Sequence, residues 1–279
     1  MVSPIAWGMW RLSGEVADAR VLAEAALETG ITLFDTADIY GMARRDEAGD
    51  AESLFGRVLA DSPGLRERIV LATKGGIVPD VPYDSSADYL DRAIDASLRR
   101  LGVEQVDLWQ VHRPDLLAHP QELAATLERF VASGKARAIG VSNFTSAQVA
   151  ALEHFLTIPL ASTQPEFSPL HTTPLWDGTL DAAMARDHAV LAWSPLGGGR
   201  LTDGQSGAAS LLAAKAEETG VSVAAAAYAW AMAHPARIIP IVGSQRADRI
   251  REAGGAYKVR WTRAEWYAVL QAATGEKLP

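Results

Sequence analysis

The chain has 279 residues, 48% hydrophobic and 22% charged, with no cysteine and a formal net charge of −8. The missing thiols exclude disulfides, cysteine nucleophiles and cysteine-bound metals, and the acidic balance offers no basic surface for nucleic acid. No basic segment followed by an apolar stretch opens the chain, and no apolar run reaches ~18 residues. Neither a signal peptide nor a membrane span is therefore expected, and a cytoplasmic location is.

Short apolar runs alternate with helix-period segments. The runs are IAWGMW at 5–10, ITLFD at 31–35, IVLAT at 69–73, VDLWQV at 106–111, ARAIGV at 136–141, PLAST at 159–163, AVLAW at 189–193 and RIIPIV at 237–242. Most are apolar nearly throughout, as strands buried on both faces are. Helices are predicted at 15–29, 50–61, 86–101, 119–133, 145–156, 177–187, 207–219 and 245–254, with two more at 222–233 and 262–273. Gly30, Gly102 and Gly134 suit left-handed helix ends, and Pro120 and Pro174 suit helix starts. Such alternation implies a parallel sheet with right-handed crossovers. An open doubly wound sheet and a closed barrel both satisfy it. Eight units favour a (β/α)8 TIM barrel with extra helices near the C-terminal end. No G-x-G-x-x-G follows the first strand, which weakens the open dinucleotide-binding sheet. A barrel takes ~250 residues, and no linker interrupts the chain, so one domain over 1–279 is expected.

In a barrel of this kind the chemistry gathers at the C-terminal strand ends. The second strand ends in Asp35, with Tyr40 following in FDTADIYG. The third ends in Lys74, the fourth in His112, the fifth in Ser142 and Asn143, and the sixth in Gln164. Trp193 and Ser194 end the seventh; the eighth runs into Gly243 and Ser244. Singly, each has an ordinary reading: a turn aspartate, a packed tyrosine, a solvated lysine, a structural histidine. Together at one rim they form a set. A free tyrosine has a pKa of ~10, a nearby ammonium favours its phenolate, and a carboxylate keeps that ammonium in place. This combination protonates an oxygen that gains negative charge, as when a carbonyl accepts hydride. Nothing in the chain supplies a hydride, so a nicotinamide cofactor is implied.

These residues resemble the aldo-keto reductase superfamily over nearly the whole chain. HRPD, GVSNF, AWSPLGGGRL and IVGS look most like bacterial YdhF-type oxidoreductases within it. The resemblance implies Tyr40 as general acid, Lys74 lowering its pKa, Asp35 pairing with Lys74, and His112 orienting the carbonyl. It implies NADPH reduction of aldehydes or ketones to alcohols. Ser142, Asn143 and Gln164 would hold the nicotinamide carboxamide, and Trp193 would stack on its ring. Ser194, Pro195, Leu196 and Gly197 would meet the pyrophosphate. In GSQRADRIREA, Ser244 and Arg249 would meet the 2′-phosphate, with help from Arg246, Glu252 would meet the adenine, and Gly243 belongs to the same cofactor-binding segment. Trp10 and Arg113 match the substrate pocket; Arg113 would attract anionic substrates or pair with Asp115 or another nearby acid. The resemblance is compatible with a monomer.

Several positions depart from the family pattern. Gly243 stands where several members carry a lysine, which leaves NADP preference over NAD resting on Arg249. Ala253 replaces an asparagine, no hairpin precedes the first strand, and the tail after the last helix is short. The loop at 41–52 is long and charged. An Asp35–Asp38 metal pair lacks the other ligands a metal needs, so no metal is expected. His119, His154, His171, His188 and His234 read as surface or packing residues. Two other classes remain open: an NADP-binding sensor or regulatory protein with little turnover, and a lyase using Lys74 as a Schiff-base nucleophile.

Overall fold

Eight short parallel strands close into a barrel in sequence order: β1 (Ala6–Gly8), β2 (Leu33–Asp35), β3 (Val70–Gly75), β4 (Val106–Val111), β5 (Ala136–Ser142), β6 (Ser162–Gln164), β7 (Ala189–Ala192) and β8 (Ile239–Val242). This computed structural model describes residues 2–41, 49–204 and 206–278; residues 42–48, the middle of the charged 41–52 loop, lie outside it. The helices are α1 (Val16–Glu28), α2 (Asp50–Ala60), α3 (Leu65–Arg68), α4 (Ala87–Leu101), α5 (Pro120–Ala132), α6 (Ser146–Glu153), α7 (Thr179–Arg186), α8 (Gly207–Thr219), α9 (Val223–Met232), α10 (Ala247–Glu252) and α11 (Arg263–Thr274). No helix among the described residues is long and apolar enough to cross a membrane.

The two-residue period of a strand sorts its side chains between lumen and outer wall. Ala6, Leu33, Ala72, Leu108, Leu191, Ile239 and Ile241 fill the lumen. Their sequence neighbours turn outward: Trp7 meets Phe34 edge-on at 5.1 Å, and Trp109 meets Phe130 of α5 at 5.0 Å. At Gly140 a Cβ would lie 2.2 Å from Ser162 Oγ, so only glycine lets β5 and β6 meet there. On the far side α9 and α11 lock together. Trp230 and Trp266 stack at 4.6 Å, and each indole N–H donates to the other's backbone carbonyl.

Expected and observed elements differ mainly at their ends. The first strand stops at Gly8, not residue 10, because the chain turns at Met9–Leu12. The sixth begins later than 159, since Pro159 has no N–H to give a ladder and pairing starts with Ala161 N donating to Ile139 O at 2.8 Å. It continues to the polar Gln164. Leu160 is apolar because it is buried in the core, not because it is paired. Pro120 opens α5 as expected, whereas Pro174 sits in a separate 3-10 turn, Thr173–Leu175, ahead of α7. The helix expected at 245–254 ends at Glu252 and tightens into a 3-10 turn, Ala253–Lys258.

Candidate active site

Strand alternation carries Asp35, Lys74, Gln110 and Gln164 into the top of the lumen. Lys74 pairs in register with Gln110, and Ser142 with Gln164. Lys74 is fully buried and Asp35 is 2% exposed. The Lys74 ammonium donates to Asp35 Oδ2 at 2.6 Å and to the Thr36 carbonyl at 2.8 Å. Gln110 and Gln164 each donate an amide N–H to Asp35 Oδ1, at 3.3 and 3.1 Å. Burial penalises the lysine's charge, but Asp35 and Tyr40 outweigh it and hold its pKa above the ordinary value.

Tyr40 reaches the same point from a turn beyond β2, half-buried at the rim. The Lys74 ammonium lies 4.9 Å from the centre of its ring and acts on its hydroxyl by charge and by hydrogen bond. The expected lowering of the phenol pKa by Lys74 is present, yet burial is larger and the net direction is upward. His112 meets the Tyr40 ring edge-on at 5.5 Å. Burial first, then the charges of Lys74 and Arg113, depress its pKa well below the usual histidine range, so the ring is neutral at pH 7. Its Nδ1 is buried with no partner among the described residues. The four residues gathered from the sequence therefore converge.

The next group is wired to this one. Ser142 donates to the Gln164 carbonyl at 2.9 Å. Asn143, in the left-handed region at φ 62°, donates to the His112 carbonyl at 3.1 Å and to Ser142 Oγ at 2.8 Å. The Trp193 indole donates to Asn143 Oδ1 at 2.9 Å, which fixes the ring's plane. Gln164 departs from expectation in one respect: its amide nitrogen serves Asp35 and Gln110, so only its oxygen is left for a carboxamide.

Beyond β7 the backbone turns left-handed at Ser194, Gly197, Gly198 and Gly199. A Cβ at Gly198 or Gly199 would meet nothing within 4 Å, and the same holds at Gly243. Ser194 Oγ accepts from Gly198 N–H, while Arg200 anchors to the Gly197 carbonyl by Nε at 2.8 Å. These open glycine positions beside the exposed Arg200 guanidinium fit a phosphate-bearing cofactor. After β8, Trp7 donates to the Ser244 carbonyl and Gln245 to the Gly8 carbonyl, tying the segment to β1. The Arg246 guanidinium pairs with Asp248 at the surface. Arg249 and Glu252 are exposed on α10, and Arg249 makes no side-chain ion pair among the described residues.

At the substrate side, Trp10 is 60% exposed with Arg11 over its ring at 4.7 Å. Arg113 does not pair with Asp115, whose oxygens accept the backbone N–H groups of Ser85 and Leu117. Its guanidinium lies 5.7 Å from the centre of the Trp193 ring instead. Asp35 and Asp38 face opposite sides of the barrel wall, and no cluster of three or more metal-ligating side chains occurs among the described residues. Of the five other histidines, His119 caps α5 by accepting from Gln121 N–H, and His188 is buried against Glu153. The residues missed in the sequence are Gln110, Arg200 and the Thr36 carbonyl. Gln110 was readable, since it precedes His112 by two and so shares its face.

The aldo/keto reductase family profile matches residues 4–273. The chain is 59% identical, over its whole length and 94% of the relative, to a 6-dehydroglucose reductase of Novosphingobium aromaticivorans. It is 37% identical to the oxidoreductase YdhF of Escherichia coli, over 98% of this chain and 94% of that one. A crystal structure of a thermostable aldo-keto reductase in complex with epalrestat has the same fold, with a TM-score of 0.85 at 23% identity over 97% of this chain and 95% of its own. The chain therefore belongs to the aldo/keto reductase family, as an oxidoreductase acting on carbonyl and alcohol groups.

Proposed function

We propose that this chain reduces an aldehyde or ketone to the alcohol with NADPH, and that Tyr40 hands over the proton. The observation that carries this reading is the Lys74 ammonium, held on Asp35 at 2.6 Å and set against the Tyr40 ring. A phenol with a raised pKa stays protonated at neutral pH, which is the form a proton donor needs. The ammonium then stabilises the phenolate left behind. Neutral His112 has a ring N–H with which to steady the carbonyl oxygen. Lys74, held charged, is a poor Schiff-base nucleophile, which disfavours a lyase.

When bound, the reduced nicotinamide supplies the hydride. Ser142, Asn143 and the Gln164 amide oxygen would hold its carboxamide, with Trp193 against the ring. Ser194 to Gly197, with Arg200, would meet the pyrophosphate. Gly243 gives open backbone, Ser244 and Arg249 would take the 2′-phosphate, and Glu252 the adenine side. An unpaired guanidinium at Arg249 supports NADP over NAD. The name of the 59% relative points to a sugar aldehyde as the substrate class. Arg113 and Trp10 suit it, one as a fork of donors for hydroxyl or anionic groups and one as an apolar face. A cytoplasmic location belongs to the same reading and is checked by cell fractionation.

The test is NADPH consumption with a panel of aldehydes that includes oxidised hexoses. Tyr40→Phe is expected to cut kcat by roughly 10²–10⁴ while cofactor affinity holds. Full activity in that variant would overturn the assignment. Tight NADPH binding without turnover on any carbonyl would favour a sensor instead.

A further inference from the structure

Asp38 is a buried carboxyl that the chemistry above leaves unused. Its backbone N–H donates to the Lys74 carbonyl at 2.9 Å, extending the pairing of β2 with β3. Two residues on, Tyr40 donates its N–H to Ala37 and accepts the N–H of Ala51 from α2. The 36–41 turn is thus tied to β3 at Asp38 and to α2 at Tyr40. The Asp38 side chain packs on the outer face of β3. A Cβ on Gly75 would lie 3.0 Å from Asp38 Oδ2, 2.9 Å from the Trp109 ring and 3.4 Å from Ala93 Cβ. Glycine at 75 is what admits the carboxyl.

One step back on the same strand face, Thr73 donates to Glu52 Oε1 at 2.5 Å. Arg100 holds Glu52 Oε2 at 2.8 and 2.7 Å. Positions 73 and 75 are roughly 7 Å apart on one face of a strand. Two buried carboxyls therefore stand side by side, and the guanidinium that could balance them is committed to Glu52. The charged or titratable groups facing Asp38 are Glu52 from α2, Arg100 and Tyr89 from α4, and Lys74 from β3. Asp38 accepts the backbone N–H of Ile39, yet its Oδ1 is buried with no partner among the described residues.

We propose that Asp38 is a positioning residue: packed between Gly75, Trp109 and Ala93, its carboxyl fixes the turn that presents Tyr40. Burial, then the Glu52 charge, push its pKa up to about 8, with Arg100 and Lys74 only partly offsetting them. Above that pH an unpaired carboxylate would have to find water, and leaving its niche would carry the 36–41 turn with it. The proposal rests on Tyr40 as the acid.

The experiment is a pH titration of wild type, Asp38→Asn and Asp38→Ala. Three readouts are followed: the infrared carbonyl stretch of a protonated carboxyl, the Tyr40 ring resonances identified by their loss in Tyr40→Phe, and kcat. In the wild type a protonated carboxyl absent from Asp38→Asn should disappear near pH 8, with the Tyr40 resonances and kcat changing at the same midpoint. Asp38→Ala should lower kcat about tenfold or more with cofactor Kd little changed. Asp38→Asn should restore kcat and move the alkaline limb upward. An Asp38 already ionised at neutral pH, or Tyr40 resonances indifferent to it, overturns the proposal. If the carboxyl titrates and Tyr40 follows but no carbonyl is turned over, the positioning stands and the reductase reading falls.

Discussion

Asp35 and Asp38 lie three residues apart, are both buried, and live under opposite rules. Asp35 faces the lumen and receives three side-chain donors, one of them an ammonium. Asp38 faces the outer wall and receives a single backbone N–H, with a second carboxyl nearby. Burial alone would treat them alike, at 2% and 9% exposure. What separates them is which groups reach them: an ammonium and two amides meet Asp35, whereas burial and a second carboxyl raise the pKa of Asp38. One turn of chain thus carries an ion-paired anchor on one side and a packed carboxyl, the proposed wedge, on the other.

Removing the cation from the anchor is the harshest way to break that contrast. Lys74→Met is expected to lower kcat/KM by about 10³. It should also destabilise the fold by on the order of 3 kcal/mol, because Asp35 is left buried without its partner. Adding Asp35→Asn should recover much of the stability and none of the activity. Urea unfolding and steady-state kinetics on the single and double variants separate the two effects.

The wedge predicts a change in stability, not in activity at neutral pH, with a distinct pH signature. Folded Asp38 holds its proton to about pH 8, whereas the unfolded chain releases it near 3.8. Between those values the folded state binds more protons, so this group makes stability fall as pH rises. Asp38→Asn removes that loss. It should stabilise the protein at pH 7 by on the order of 4 kcal/mol and by little near pH 4. Urea midpoints at the two pH values measure it. A smaller cost of 1–3 kcal/mol is expected of Gly140→Ala, whose methyl group would press on Ser162 Oγ and Gln110 (roughly the range for overpacking). Ser162→Ala should recover part of it.

The barrel and the cluster at its candidate site were legible in the sequence because their signals are local. A buried parallel strand is apolar throughout, and Asp35, Lys74 and His112 each follow such a run. The contacts of Gln110 and Gln164 were harder to read. Their partner Asp35 lies 75 and 129 positions away, and no local pattern says that an amide nitrogen points at it. Asp38 could be noticed as a second carboxylate, but its environment depends on Gly75, Ala93 and Trp109 meeting in space. The expected Arg113–Asp115 pairing is absent because backbone N–H groups already hold both Asp115 oxygens.

The smallest expected effect tests whether the cofactor side is as pre-set as the acid side. Trp193 donates its indole N–H to Asn143, which in turn donates to Ser142 and to the His112 carbonyl. Trp193→Phe keeps an aromatic face and deletes that one donor. The lost bond is worth about 1 kcal/mol, a few-fold in NADPH affinity if it holds Asn143 in its left-handed conformation. The smaller phenylalanine ring also changes the face beneath Arg113, so an affinity loss alone would not separate the two contacts. Arg113→Met in the same titration does. If Trp193→Phe weakens NADPH and Arg113→Met does not, the hydrogen bond orders the nicotinamide side. The reverse result would assign that order to the guanidinium stacked on the ring.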